Sequence, residues 1–139
     1  MKRNLTGRQF EVLKLIRQEF TSEQISEALG ISRRTAEVHR RAIHSIFGTR
    51  TPSGAIVEGV RQGIISTNDV SSPIRALSPR EIDIIELVAE DMNAAQVAQV
   101  LGLAVSTVYR HFERIHAATN TKSLPLAVLV ALKAGYIRL

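Results

Sequence analysis

The sequence predicts an all-α protein made of two tandem four-helix repeats, each containing a helix-turn-helix. Three observations lead there. Leu5 to Thr67 realigns without a gap on Leu77 to Leu139 at a constant offset of 72, matching Leu5/Leu77, Arg8/Arg80, Leu15/Leu87, Gln24/Gln96, Leu29/Leu101, Gly30/Gly102, Thr35/Thr107, His39/His111, Ile43/Ile115, His44/His116 and Gly63/Gly135. Apolar residues recur at helical spacing behind capping sequences in both copies, and no stretch alternates as a strand would. A glycine follows the second helix at the same place in each copy, the layout of a helix-turn-helix.

The elements follow in order. Leu5-Thr6-x-x-Gln9-Phe10 reads as a capping box with a hydrophobic staple, and Leu77-Ser78-Pro79-Arg80-Glu81-Ile82 repeats it with proline at the first helical position. Behind these caps, Phe10, Leu13, Ile16 and Phe20, and then Ile82, Ile85, Val88 and Met92, predict the buried stripes of two scaffold helices. Thr21-x-x-Gln24 and Asn93-x-x-Gln96 open short second helices, which run to Leu29 and Leu101. Gly30 and Gly102 end them, because the left-handed residue that redirects a chain there is cheap only without a Cβ. Ser32 is expected to cap the third helix, whereas Ala104 leaves its counterpart without a cap, forfeiting about 1 kcal/mol. Thr51-Pro52 and Ser123-Leu124-Pro125 open fourth helices ending near Gly63 and Gly135. Ser66 to Pro73 is rich in small polar residues and reads as a linker. The expected division is a domain over 1–65, a linker over 66–76 and a domain over 77–139.

Composition narrows the function. The net charge is +5, unevenly shared: residues 1–72 hold 11 Lys and Arg against 7 Asp and Glu, and residues 73–139 hold 7 against 6. A basic balance favours a polyanionic partner without naming one. There is no cysteine, which excludes disulfides and thiolate metal sites and makes a reducing, cytoplasmic compartment the expectation. Met1-Lys2-Arg3-Asn4 lacks the apolar stretch of a leader. The longest apolar run, Leu124 to Leu132, falls far short of the roughly 20 residues that span a bilayer. No membrane association is expected.

The third helices carry the chemistry. In the first repeat Arg33, Arg34, Arg40 and Arg41 lie within nine residues, and guanidinium donates bidentately to phosphate and to guanine. A solvated basic face is the alternative for such a cluster; the preceding turn, which aims the face outward, favours DNA. Ala36, Ile43 and Ile46 are expected to face the scaffold. The second repeat offers Ser106, Thr107, Tyr109, Arg110, Glu113 and Arg114, with fewer charges, so that a protein surface competes with DNA as its partner.

These segments resemble the LuxR/GerE-type helix-turn-helix domain, also found at the end of response regulators of the NarL/FixJ group. The family's opening Leu-Thr-Pro-Arg-Glu occurs as Leu5-Thr6-Gly7-Arg8-Gln9 and as Leu77-Ser78-Pro79-Arg80-Glu81. Its signature Leu-Gly-Ile-Ser-x-x-Thr-Val-x-x-His occurs as Leu29 to His39, with Ala36 in place of valine, and as Leu101 to His111, with Ala104 in place of serine. The resemblance covers nearly the whole chain. It implies base-reading positions at Glu37, Val38 and Arg41, and at Tyr109, Arg110 and Glu113. Arg33, Arg34, Thr35, Ser106 and Thr107, at the helix starts, are then placed for phosphate contacts. Family members usually carry a phosphoacceptor or signal-binding domain ahead of this one, and neither fits within these 139 residues.

The last helix, Leu124 to Leu132, is apolar around its circumference and should be buried on more than one side. In the resembling family this helix makes the dimer contact. Ile56 and Val60 of the first repeat and Leu126, Leu129 and Val130 of the second are the expected interface, formed either within one chain or between two. His39 and His44, like His111 and His116, are five apart, about 140° around a helix, so neither pair makes a metal-binding face. No catalytic triad or phosphate loop is present, and no enzyme activity, metal or cofactor is expected. The expected partner is double-stranded DNA, read by two recognition helices in successive major grooves. The alternative is an interaction module for RNA polymerase or another regulator.

Overall fold

The computed structural model describes residues 4–139; Met1 to Arg3, part of the segment read above as lacking a leader, lie outside them. The described residues form eight α-helices and no strand. The first repeat supplies α1 (Gly7–Arg17), α2 (Ser22–Leu29), α3 (Arg33–Phe47) and α4 (Pro52–Arg61). The second supplies α5 (Pro79–Ala89), α6 (Ala94–Leu101), α7 (Val105–Thr119) and α8 (Leu124–Lys133). None is long and apolar enough to cross a membrane.

The helix starts follow the capping logic. Reciprocal capping boxes form at Thr6/Gln9, Thr21/Gln24, Ser78/Glu81 and Asn93/Gln96. Ser32 caps α3 by accepting from the Thr35 N–H at 3.0 Å, whereas Ala104 gives α7 no side-chain cap. Thr51 caps α4, but its counterpart Ser123 makes no such bond, and its buried hydroxyl is left without a partner. Asn120, at φ 53°, closes α7 where glycine closes α3.

Burial is broader than a single stripe. Val12, Leu13 and Ile16 are buried in α1, and Ile84, Ile85, Val88 and Ala89 in α5. Phe10, Phe20, Ile82 and Met92, expected in those stripes, are only half-buried. The cause is the number of neighbours. Helix α1 packs on α2, α3, α4 and α8, and α5 on α4, α6, α7 and α8, so each buries two adjacent faces.

Two cores result, and they trade residues. Helices α4 and α8, from different repeats, pack directly against each other. Ile56 belongs to the first repeat's core, but its neighbour Val57 is buried in the second's. Val128 belongs to the second repeat's core, and the adjacent Leu129 is buried in the first's together with Val130. Val57 and Leu129 occupy equivalent positions of the repeat, so the exchange is reciprocal. Val60 and Leu126 are half-buried against the first core.

The segment between α4 and α5 is held rather than loose. Arg17 donates to Ser66 O at 3.0 Å and pairs with Asp69, Lys133 donates to the Asn68 and Val70 carbonyls, and Val70 is buried. Arg75 grips the buried Glu81 carboxylate with two 2.8 Å bonds and donates to Arg114 O at 3.2 Å. Those bonds from Arg75, with help from the Ser78 cap, pull the Glu81 carboxyl from its usual value to about 2. Because the folded-state pKa is depressed, the stabilisation is present above the unfolded carboxyl's range and lost as pH falls towards 2. A denaturant midpoint that drops between about pH 5 and pH 2 is expected, and Arg75→Met should remove much of that dependence.

Candidate nucleic-acid interface

Each helix-turn-helix is set by its glycine. Gly30 (φ 66°) and Gly102 (φ 67°) take the left-handed conformation, and the next residue donates back to α2 or α6, Ile31 N to Ser26 O and Leu103 N to Ala98 O, both at 3.0 Å. Ala36 and Ile43 bury the inner face of α3, and Val108, Phe112 and Ile115 that of α7. The opposite faces are left to solvent.

On α3 that outer face exposes Arg33, Arg34, Thr35, Val38 and Arg41. Glu37 is half-buried and accepts from Arg33 Nε at 3.2 Å. The Thr35 hydroxyl accepts from Ser32 Oγ at 2.9 Å, which ties it to the cap. Arg40, grouped by sequence with the outward arginines, is half-buried; desolvation lowers its pKa, partly offset by Glu37. Ile46 is likewise only half-buried. On α7, Ser106, Tyr109, Arg110, Glu113 and Arg114 are exposed and Thr107 is half-buried, near Arg110 at 3.4 Å. Tyr109 stands edge-on to Phe112, centroids 5.8 Å apart at 90°, an arrangement that restricts the phenol.

His44 and His116 sit behind these faces, bonded through Nδ1 to Thr49 and Thr121 at 2.9 and 3.2 Å. Burial lowers both pKa values, reinforced for His44 by Arg40 and opposed by Asp91, and opposed for His116 by Glu19. The Nδ1 of His111 is buried without a hydrogen-bond partner. Among the described residues no group of three or more His, Asp or Glu side chains is placed to hold a metal ion.

A pair of carboxylates that sequence reasoning missed also joins the two repeats. Glu19 and Asp91 follow α1 and α5 at equivalent positions, both at positive φ, 70° and 72°. Each reaches across to the start of the other repeat's fourth helix. Asp91 accepts from the Arg50 and Thr51 N–H groups and the Thr51 hydroxyl, the last two at 2.8 and 2.7 Å. Glu19 accepts from the Lys122 and Ser123 N–H groups at 2.6 and 2.7 Å. A carboxylate at a helix N-terminus satisfies orphan donors and meets the positive end of the dipole. These contacts repeat at the 72-residue offset, so the two repeats are related by a local pseudo-twofold.

The side-chain lengths are matched to their sites. Gly54 admits the short Asp91, because a Cβ there would overlap its carboxylate. Leu126 stands at the equivalent place in α8, where the longer Glu19 makes the approach. The available signal was an acid at the same place in both copies, at a helix end where glycine is usual. Asp91→Ala strands the Thr51 N–H and should cost about 2–3 kcal/mol in an equilibrium unfolding titration, with Glu19→Ala costing less.

The family described as "Bacterial regulatory proteins, luxR family" matches residues 3–57 and again 75–131. The oxygen regulatory protein NreC of Staphylococcus carnosus is 39% identical over 77 residues, covering 55% of this chain and 34% of its own. NreC of Staphylococcus aureus is 36% identical over 67 residues, covering 48% and 31%. The transcriptional regulatory protein MctR of Rhizobium johnstonii is 37% identical over 62 residues, covering 45% and 29%. The matched region is thus about a third of each of these relatives. No solved structure matches the chain.

Proposed function

Because the chain belongs to the luxR family of bacterial regulatory proteins, which bind DNA and regulate transcription, we propose that it reads a specific double-stranded site with two recognition helices, α3 and α7, in successive major grooves. Repeats 1–65 and 77–139 are the two DNA-binding domains, joined by 66–76. Pairing of α4 with α8 does within one chain what a dimer contact does between two. The observation that supports this reading is the reciprocal capping by Glu19 and Asp91, which joins the two repeats at equivalent places. Such pairing suits half-sites about one helical turn apart, roughly 10 bp centre to centre.

In this scheme Arg41 contacts guanine, Val38 a thymine methyl and Glu37 a cytosine amine, while Arg33, Arg34 and Thr35 hold phosphates. Tyr109, Arg110 and Glu113 face bases in the other half-site, with Ser106, Thr107 and Arg114 near the backbone. Arg40 lies between the two roles, half-buried beside the base-reading face. Binding titrations on genomic fragments over a salt series test the scheme. Arg41→Ala should lose roughly 1–3 kcal/mol on the specific site and little on random DNA, whereas Arg33→Ala should weaken both alike. Equal loss on both for Arg41→Ala contradicts the assignment.

A second reading, contact with RNA polymerase or another regulator through the second repeat, is favoured by one observation. Helix α6 carries no charge; its own Val100 is 57% exposed, and Val105 and Tyr109 of α7 are 41% and 56% exposed. Retention of no specific DNA fragment would favour that reading.

A further inference from the structure

The local pseudo-twofold allows the outer positions of α3 to be compared with their counterparts on α7, and apart from Thr35, which repeats as Thr107, the chemistry does not repeat. Arg33 and Arg34 face Val105 and Ser106 across the offset, Glu37 faces Tyr109, Val38 faces Arg110, Arg40 faces Phe112, and Arg41 faces Glu113. Arg34, Val38 and Arg41 form one exposed stripe at helical spacing; Ser106, Arg110 and Glu113 form the equivalent one. The scaffolds are alike, but the stripes differ in charge at every step.

We infer that the protein reads a directional site made of two unlike half-sites, with Arg41 and Glu113 specifying opposite bases at symmetry-related positions. This rests on the reading in which both helices enter major grooves. An arginine fork fits the two acceptors of guanine, N7 and O6, whereas a carboxylate accepts and so selects the cytosine N4 donor. Where one half-site has guanine, the other therefore has cytosine at the equivalent position of the equivalent DNA strand. A homodimer of identical subunits presents the same residue twice and is confined to palindromes. Two repeats joined in one chain and locked by unlike caps, Asp91 with Thr51 and Glu19 with Ser123, are free of that constraint.

The arginines add a second asymmetry. Arg33, Arg34 and Arg41 are exposed on α3, against Arg110 and Arg114 on α7, where Glu113 opposes them. Phosphate neutralisation governs affinity and its salt dependence. The α3 half-site therefore anchors the complex, and the α7 half-site sets its direction.

The test is selection of a randomised 30-bp duplex library by the full-length chain, followed by binding titrations on the enriched site. The natural mixed site is expected to bind about tenfold or more tightly than either palindrome built from one half-site twice. Glu113→Arg, at an exposed position, should leave the melting temperature unchanged and turn the selected cytosine to guanine, and Arg41→Glu should make the converse change in the other half. A palindromic motif, or a mixed motif that neither variant alters, overturns the inference while leaving two-groove binding standing. Enrichment of no motif overturns both.

Discussion

Leu129→Ala is expected to destabilise the first repeat although the residue lies in the second. Its side chain is fully buried, and it belongs to the core formed by α1 to α4. Removing three carbons there costs the lost transfer energy plus that of the cavity, about 2–5 kcal/mol. Domains of this size have marginal stability, on the order of 5–15 kcal/mol for a larger one, so the loss is a large fraction of the total. Because Val57 makes the reciprocal insertion, the repeats should unfold as one cooperative body. Amide exchange should then accelerate across α1 to α3 and across α5 to α7 together, in Leu129→Ala and in Val57→Ala alike. Acceleration confined to the mutated residue's own repeat would mean that the two cores are independent.

The fold was legible because the local signals agreed. Capping boxes, terminal glycines and helical spacing together pointed to the same eight helices, and the repeat allowed every element to be read twice. The all-round apolarity of Leu124 to Leu132 showed that α8 needed two partners, but sequence could not say whether the second lay in the same chain. That choice rests on tertiary contacts, the packing of α4 on α8 and the Glu19 and Asp91 caps, the latter joining residues about 40 and 100 positions apart. Carboxylates in a left-handed conformation look like ordinary surface acids in a sequence; only the folded chain shows what they reach.

The recognition faces were legible in part. Periodicity separates Ala36 and Ile43 from Arg34 and Arg41, and the structure places the first pair inside and the other two outside; Val38, which only the resemblance singled out, is exposed as well. Arg40 and Phe112 were harder. They occupy one repeat position at the boundary of the buried face, where a long aliphatic stem or a ring can lie against the core, and composition alone assigns the arginine to solvent. The linker also hid its structure. Its polar composition marked it only as a linker, whereas Arg17, Arg75 and Lys133 tie it down through carbonyls and acids that no local pattern reveals.

The second large effect concerns spacing. If α3 and α7 are held rigidly by the α4–α8 pair, both can engage DNA only when their half-sites lie on one face of the duplex. Inserting 5 bp turns one half-site to the far side, and the second repeat's contribution is lost. Tethered binding of this kind raises affinity by about 10²–10⁴ over one module. The direct measurement is a titration of the full-length chain against its selected site with 0, 2, 5 and 10 bp inserted between the halves. The account predicts one sharp optimum at the natural spacing and a drop of about 100-fold or more at 5 bp. Affinity independent of the insertion would contradict it, because the two helices would then not be reading the double helix together.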